Sequence, residues 1–159
     1  MKISKSVEQG IYVVLMLALQ KDHTPLKSQL LSQQLGVSDS YLKKILRKLV
    51  IAELIDSSAS KDGGFVLKRS VEEISLLDVG QAVEQLGTLQ MPTRHLAAKL
   101  FPGRPSHIEH SEATAKAAFE KAATAFDQTL AAVPLSQLLE QNSYQNGVVD
   151  WASLTAAKD

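Results

Sequence analysis

From residue 35 to 49 the apolar positions recur with a helical period. Leu42, Ile45, Leu46 and Leu49 fall at i, i+3, i+4 and i+7 and form one apolar face, while Lys43, Lys44, Arg47 and Lys48 point elsewhere. Ser38 is placed to cap this helix, over about residues 39–52, and Val37 to pack on Leu42 as a hydrophobic staple. Gly36 allows the left-handed backbone of a helix C-cap, so a short preceding helix over about 27–35 ends there. That helix is less tidy, because Leu30 and Leu31 are adjacent and cannot face the same way. Upstream, Val7, Ile11, Val14, Leu15 and Ala18 predict a helix over about 5–20 whose apolar face is wide enough to be central to a core. His23-Thr24-Pro25 breaks it. A helix anchored on one face and cationic on the other, entered through a Gly turn from another helix, suits the second helix of a helix-turn-helix.

Beyond it the period shifts from helical to extended. Glu53–Ser58 and Phe65–Lys68 read as strands joined by the turn Ala59–Gly64, a β-hairpin placed as a wing. Ser75 and Asp78 have the spacing of a capping box for a helix from Leu76 to about Leu86. Gly87–His110 holds Pro and Gly and reads as irregular. Ser111–Val133 is Ala-rich and free of both, a helix of roughly 34 Å. Phe119, Ala122, Phe126, Leu130 and Val133 run down one side of it near coiled-coil spacing. Two readings follow for that stripe: it packs back on its own domain, or it pairs with a second copy, and its separation from the N-terminal core favours the copy. Pro134 stops the helix, Leu135–Glu140 is a short amphipathic turn, and the tail from Gln141 is polar except for Val148, Val149 and Trp151, ordered only if it docks. The organisation expected is 1–86, a winged helix-turn-helix; 87–110, an irregular loop; 111–140, a dimerisation helix and closing turn; and 141–159, a tail. The fold class is mainly α with a small β-hairpin.

A length of 159 residues suits one ordinary domain, or a small domain with an appended helical segment. The chain has no cysteine, which removes disulfides, thiolate metal sites and cysteine nucleophiles together. Its longest apolar run, Ile11–Leu19, is about half of what a membrane helix needs. With no signal peptide evident, the expectation is a cytoplasmic protein without a membrane partner. Net charge is zero, but residues 1–70 carry 11 Lys/Arg against 6 Asp/Glu and residues 71–159 carry 6 against 11. A basic half and an acidic half suggest that only the first meets a polyanion. No phosphate-binding Gly loop, HExxH or nucleophile elbow is present, so an enzyme is not expected.

The ordered blocks Met1-Lys2-Ile3-Ser4, Leu35-Gly36-Val37-Ser38, Tyr41-Leu42, Ile45-Leu46, Leu49, Gly63-Gly64-Phe65, Glu73–Val79 and Ala82-Val83-Glu84 resemble the Rrf2-type winged-helix transcription regulators of bacteria. The resemblance covers residues 1–86 strongly. Phe119 through Leu138 is similar to the family's dimerisation helix and closing turn. It implies a homodimeric repressor that binds a double-stranded DNA operator. Many members carry three cysteines before the long helix and bind an iron–sulfur cluster, whose usual ligands are thiolates. Here that stretch has none, so the resemblance implies a branch with no cluster and no cofactor, and leaves Glu8 a surface carboxylate. An Arg-Gly pair common in the family's wing is replaced by Ala59-Ser60, with Lys61 as the remaining cation at the tip.

The DNA-binding residues expected are Ser38, Ser40 and Tyr41 at the helix N-terminus, Lys43, Lys44, Arg47 and Lys48 along it, Lys61 in the wing, and Lys2 and Lys5 at the first helix. Capping alone is the other reading for Ser38, and an exposed N-terminus for Lys2 and Lys5. The dimerisation residues are Phe119, Ala122, Phe126, Leu130 and Val133. His107-Ile108-Glu109-His110, with His95, is the one metal-like cluster. It lacks a clear third or fourth ligand and reads as a polar loop, so no metal is expected. A small-molecule or protein effector would act in 87–110, where Leu89, Met91, Leu96, Leu100 and Phe101 line a pocket or form plain core. The alternative to a DNA-binding regulator is a protein-interaction or ligand-sensing module built on a helix-turn-helix.

Overall fold

The computed structural model describes residues 3–86 and 95–156. The first helix, α1 (Lys5–Leu19), starts where the Ser4 hydroxyl accepts from Ser6 N at 3.2 Å. It buries Val7, Val13, Val14, Met16, Leu17 and Ala18 and packs on two of the three helices that follow in the N-terminal half. A 3-10 turn (Lys21–His23) leads to α2 (Ser28–Leu35), which settles the Leu30/Leu31 conflict: Leu31 is buried and Leu30 half-buried. Gly36 ends α2 with φ +66, a left-handed C-cap that costs little only for glycine. Next comes α3 (Asp39–Ile51), capped by Ser38, whose hydroxyl accepts from Tyr41 N at 3.3 Å.

The wing is short. β1 (Ile55–Ser57) pairs antiparallel with β2 (Phe65–Leu67), in the register Ile55–Leu67, Asp56–Val66 and Ser57–Phe65. Leu26 extends the pairing on the other edge of β2, exchanging both backbone hydrogen bonds with Phe65 at 3.0 and 2.8 Å. α4 (Leu76–Glu84) opens on the expected capping box, Asp78 N donating to Ser75 Oγ at 3.2 Å and Ser75 N to Asp78 Oδ2 at 2.7 Å. It ends at Gln85, whose φ of 55° is left-handed. Val79 and Val83 of α4, Leu42, Leu46 and Leu49 of α3 and the α1 face share one core, closed below by Leu54, Ile55, Val71, Ile74 and Leu135.

The second half differs from the sequence expectation in two places. The stretch read as irregular holds a short helix, α5 (Ala97–Leu100). The long helix, α6 (Pro105–Ala131), begins six residues earlier than expected and has 27 residues, roughly 40 Å. Pro105 is its first residue: proline there loses only an N–H that would have no helical partner, and its fixed φ already suits a helix. His107–His110 therefore lies on a helix and not in a polar loop. The tail, as far as Ala156, meets the condition set for its order: it docks as a strap. A 3-10 turn (Leu135–Leu138) sends the chain back, Val148 and Val149 N donate to Leu19 O at 2.9 Å, Lys21 N donates to Val149 O at 2.8 Å, and α7 (Trp151–Ala156) lies against α2. Trp151 Nε1 donates to Met16 O at 2.9 Å. Gly147, with φ +67, lies so close to Gln20 O and Leu19 O that any Cβ would collide with them.

Candidate nucleic-acid interface

The two faces of α3 are sharply divided. Leu42, Ile45, Leu46 and Leu49 are at most 3% exposed. At 100° per residue, Ser40, Lys44, Arg47 and Ile51 form the stripe opposite them, and all are exposed. Among the described residues neither Lys44 nor Arg47 has an ion pair or a side-chain hydrogen bond. These cations are free to neutralise an external anion, and α3 cannot roll without exposing its leucines.

The other expected contact residues are not equivalent. Ser38 caps α3 and lies 3.4 Å from Ser40 Oγ. Lys43 pairs with Asp39 at 2.7 Å; this hydrogen bond first, and the Ser28 hydroxyl second, holds the Asp39 carboxyl below its ordinary range. The pair places a carboxylate beside the cations at the N-terminal end of α3. Tyr41 is half-buried, its hydroxyl 2.7 Å from Ser6 Oγ on α1. Lys48 Nζ donates to Val83 O at the end of α4, at 2.6 Å. Lys61 is exposed at the wing tip, where Ser58 N donates to Gly64 O at 2.9 Å and Gly63 N to Ser60 O at 2.9 Å. Lys5 is exposed at the start of α1, and Lys2 lies outside the described residues.

Sequence reasoning missed the partners of Tyr41 and Lys48. A signal was available: the two are seven apart, so they share one flank of α3, beside Ile45 and facing α1 and α4. It also missed Glu84, whose Oε2 accepts from Ser4 N at 3.0 Å. That hydrogen bonding from Ser4, with Lys48 adding attraction, keeps the carboxyl below its ordinary range.

The stripe on α6 divides along its length. Phe126, Leu130 and Val133 are half-buried, and Leu76 N donates to Val133 O at 3.0 Å, so the last turns of α6 pack back on their own domain. Phe119 is 47% exposed, and every residue from Ala113 to Ala122 is exposed. A groove of about 970 Å³ separates α5 from the first turns of α6, lined by Leu96, Phe101, His107, Ile108 and Glu112 among others. Leu100 is exposed, and Leu89 and Met91 lie outside the described residues. His95 pairs with Glu112 at 3.2 Å. Among the described residues no three His, Asp or Glu side chains gather as a metal site, and no helix is long and apolar enough to cross a membrane.

A helix-turn-helix with a two-stranded wing and a cationic outer face defines a winged-helix DNA-binding regulator. The family described as iron-dependent transcriptional regulators, Rrf2, matches residues 3–141, and the chain belongs to that family. It is 32% identical over 144 residues to YffB of Lactococcus lactis subsp. lactis (strain IL1403), named as an HTH-type transcriptional regulator, covering 91% of this chain and 90% of that one. It is 43% identical over 89 residues to YwgB of Bacillus subtilis (strain 168), named likewise, covering 56% and 57%. Its fold is similar to that of CymR, the global cysteine regulator of B. subtilis, with a TM-score of 0.63 at 20% identity over 87% of this chain and 95% of that one. The donor set does not fit an iron–sulfur cluster, because the whole chain offers no thiolate.

Proposed function

We propose that the protein is a homodimeric repressor that binds a double-stranded DNA operator without an iron–sulfur cluster. In this reading α3 is the recognition helix and enters a major groove. Lys43, Lys44, Arg47, Ser38 and Ser40 face phosphates and base edges, and the wing lies along the flanking backbone through Lys61, with Lys5 and Lys2 at the edge of the footprint. The observation that carries it is the outer stripe of α3, where Lys44 and Arg47 stand exposed and unpaired among the described residues. The dimer rests on the exposed stretch of α6 around Phe119 and Ala122, with Phe126, Leu130 and Val133 continuing the stripe toward the domain. Ten consecutive positions of the long helix are exposed among the described residues, and a second copy would cover them. Repression follows from occupancy, since a dimer seated on a promoter excludes polymerase.

The test is a titration against duplex DNA from upstream of the protein's own gene and against a shuffled duplex, at several salt concentrations. About eight phosphate contacts give a log–log salt slope near −7. That slope with a preference of ~10³ or more over the shuffled duplex is the expected result. Weak, salt-insensitive binding would transfer the helix-turn-helix to a protein partner. Addition of the protein to in vitro transcription from the same duplex should lower the yield; a rise would make it an activator.

The α5–α6 groove favours one addition to this reading, an effector site for a small molecule with an apolar body, among Leu96, Phe101 and Ile108. If so, Phe101→Ala abolishes the response of DNA binding to the inducer while leaving DNA affinity in its absence intact.

A further inference from the structure

Three polar links join α1, α3 and α4 outside the apolar core. At the start of α3 the Tyr41 hydroxyl lies 2.7 Å from Ser6 Oγ on α1. Near its end Lys48 Nζ reaches Val83 O at 2.6 Å. Glu84, the next residue of α4, holds Ser4 N at 3.0 Å, the residue that caps α1. The links are therefore closed into a ring: α1 to α3, α3 to the end of α4, and the end of α4 back to α1. The Lys48 bond is a cation on an end-of-helix carbonyl, where the unsatisfied C=O groups gather partial negative charge.

Burial of Leu42, Ile45, Leu46 and Leu49 decides which face of α3 turns inward. Directional bonds add a fixed angle and height to that packing. Tyr41 and Lys48 are almost two turns apart on one flank, so together they fix both the roll and the axial position of α3. We propose that Tyr41 and Lys48 are positioning residues: they set the pose of the recognition helix against α1 and α4, and leave contact with DNA to the Ser40, Lys44 and Arg47 stripe. This rests on the DNA-binding reading above.

The experiment compares Lys48→Met, Lys48→Arg and Tyr41→Phe with Arg47→Ala, using the upstream duplex, the shuffled duplex and the full-length protein. A contact residue and a positioning residue differ in what they take away. Arg47→Ala should weaken binding to both duplexes and reduce the salt slope by about 1. Lys48→Met should lower the preference for the upstream duplex about tenfold, the scale of one charged hydrogen bond. It should leave the salt slope and the binding of the shuffled duplex unchanged. Tyr41→Phe should do the same to a smaller degree, and Lys48→Arg should recover most of the preference. Partial unfolding would lower both affinities in parallel and cannot imitate this split. A slope reduced by about 1 in Lys48→Met would make Lys48 a phosphate contact and overturn the proposal; so would an unchanged preference.

Should the native protein show no preference for any duplex, the DNA reading fails by itself. Amide exchange of the free protein then decides the ring. Lys48→Met should speed exchange in the last two turns of α3, and unchanged protection there would overturn it. If Lys48→Met does not fold, Lys48→Arg and Tyr41→Phe carry both measurements.

Discussion

In α3 the apolar residues at helical spacing are each at most 3% exposed, and the opposite face is cationic. In α6 the same kind of spacing leaves Phe119 47% exposed and Phe126 and Leu130 half-buried. The two helices share a sequence pattern and differ in what surrounds them. α3 is enclosed by α1, α2 and α4 within the winged domain, and its pattern is satisfied inside one chain. Among the described residues α6 meets its own domain in its last turns and α5 in its first. Its middle, from Ala113 to Ala122, is exposed among the described residues. An amphipathic period therefore announces that a face will be covered, and the neighbouring elements decide by what.

The contrast can be broken at either end. Leu46→Ala removes a side chain that is 1% exposed and should cost about 2–5 kcal/mol, seen as a fall in the denaturant midpoint with DNA binding lost alongside. Phe119→Asp should leave the melting of the winged domain unchanged while light scattering falls from twice 17.3 kDa to 17.3 kDa. A dimer that survives this change would mean that α6 is covered by something else. Ser75→Ala sits between the two regions, where α4 starts and the end of α6 docks. Loss of the capping box should lower stability by about 1 kcal/mol and leave the dimer in place. The smallest effect is expected from Asp39→Asn, which frees Lys43 and removes a carboxylate from the DNA-facing end of α3. Affinity for any duplex should rise severalfold at low salt and converge on the native value at high salt. No gain at low salt would place Lys43 away from the phosphates.

Much of the winged domain was legible because its signals are local. Ser38, Gly36, Ser75 and Asp78 act on residues within a few positions, and the four core residues of α3 follow from one period. The division within the basic cluster was not legible in this way. Lys44, Arg47 and Lys48 look alike along the sequence, and what separates them is Val83 O, a carbonyl 35 residues away. The start of α6 lies inside the stretch whose Pro and Gly content reads as irregular, but Pro105 at the first turn is a starter. The tail was legible only as a condition, since Val148, Val149 and Trp151 mark what could dock, while the backbone hydrogen bonds to Leu19 and Lys21 that hold it are reported by no side-chain pattern.

That docked tail sets how the protein will look to a spectroscopist. The chain has a single tryptophan, and Trp151 lies on the strap with its indole N–H on Met16 O. Its emission therefore watches the seam between the strap and α1, while circular dichroism watches the helices. In a denaturant titration the two signals should part company, fluorescence moving first as the strap peels from a domain still folded. A single coincident transition would instead make the last residues of the chain part of the same cooperative unit as the first helix.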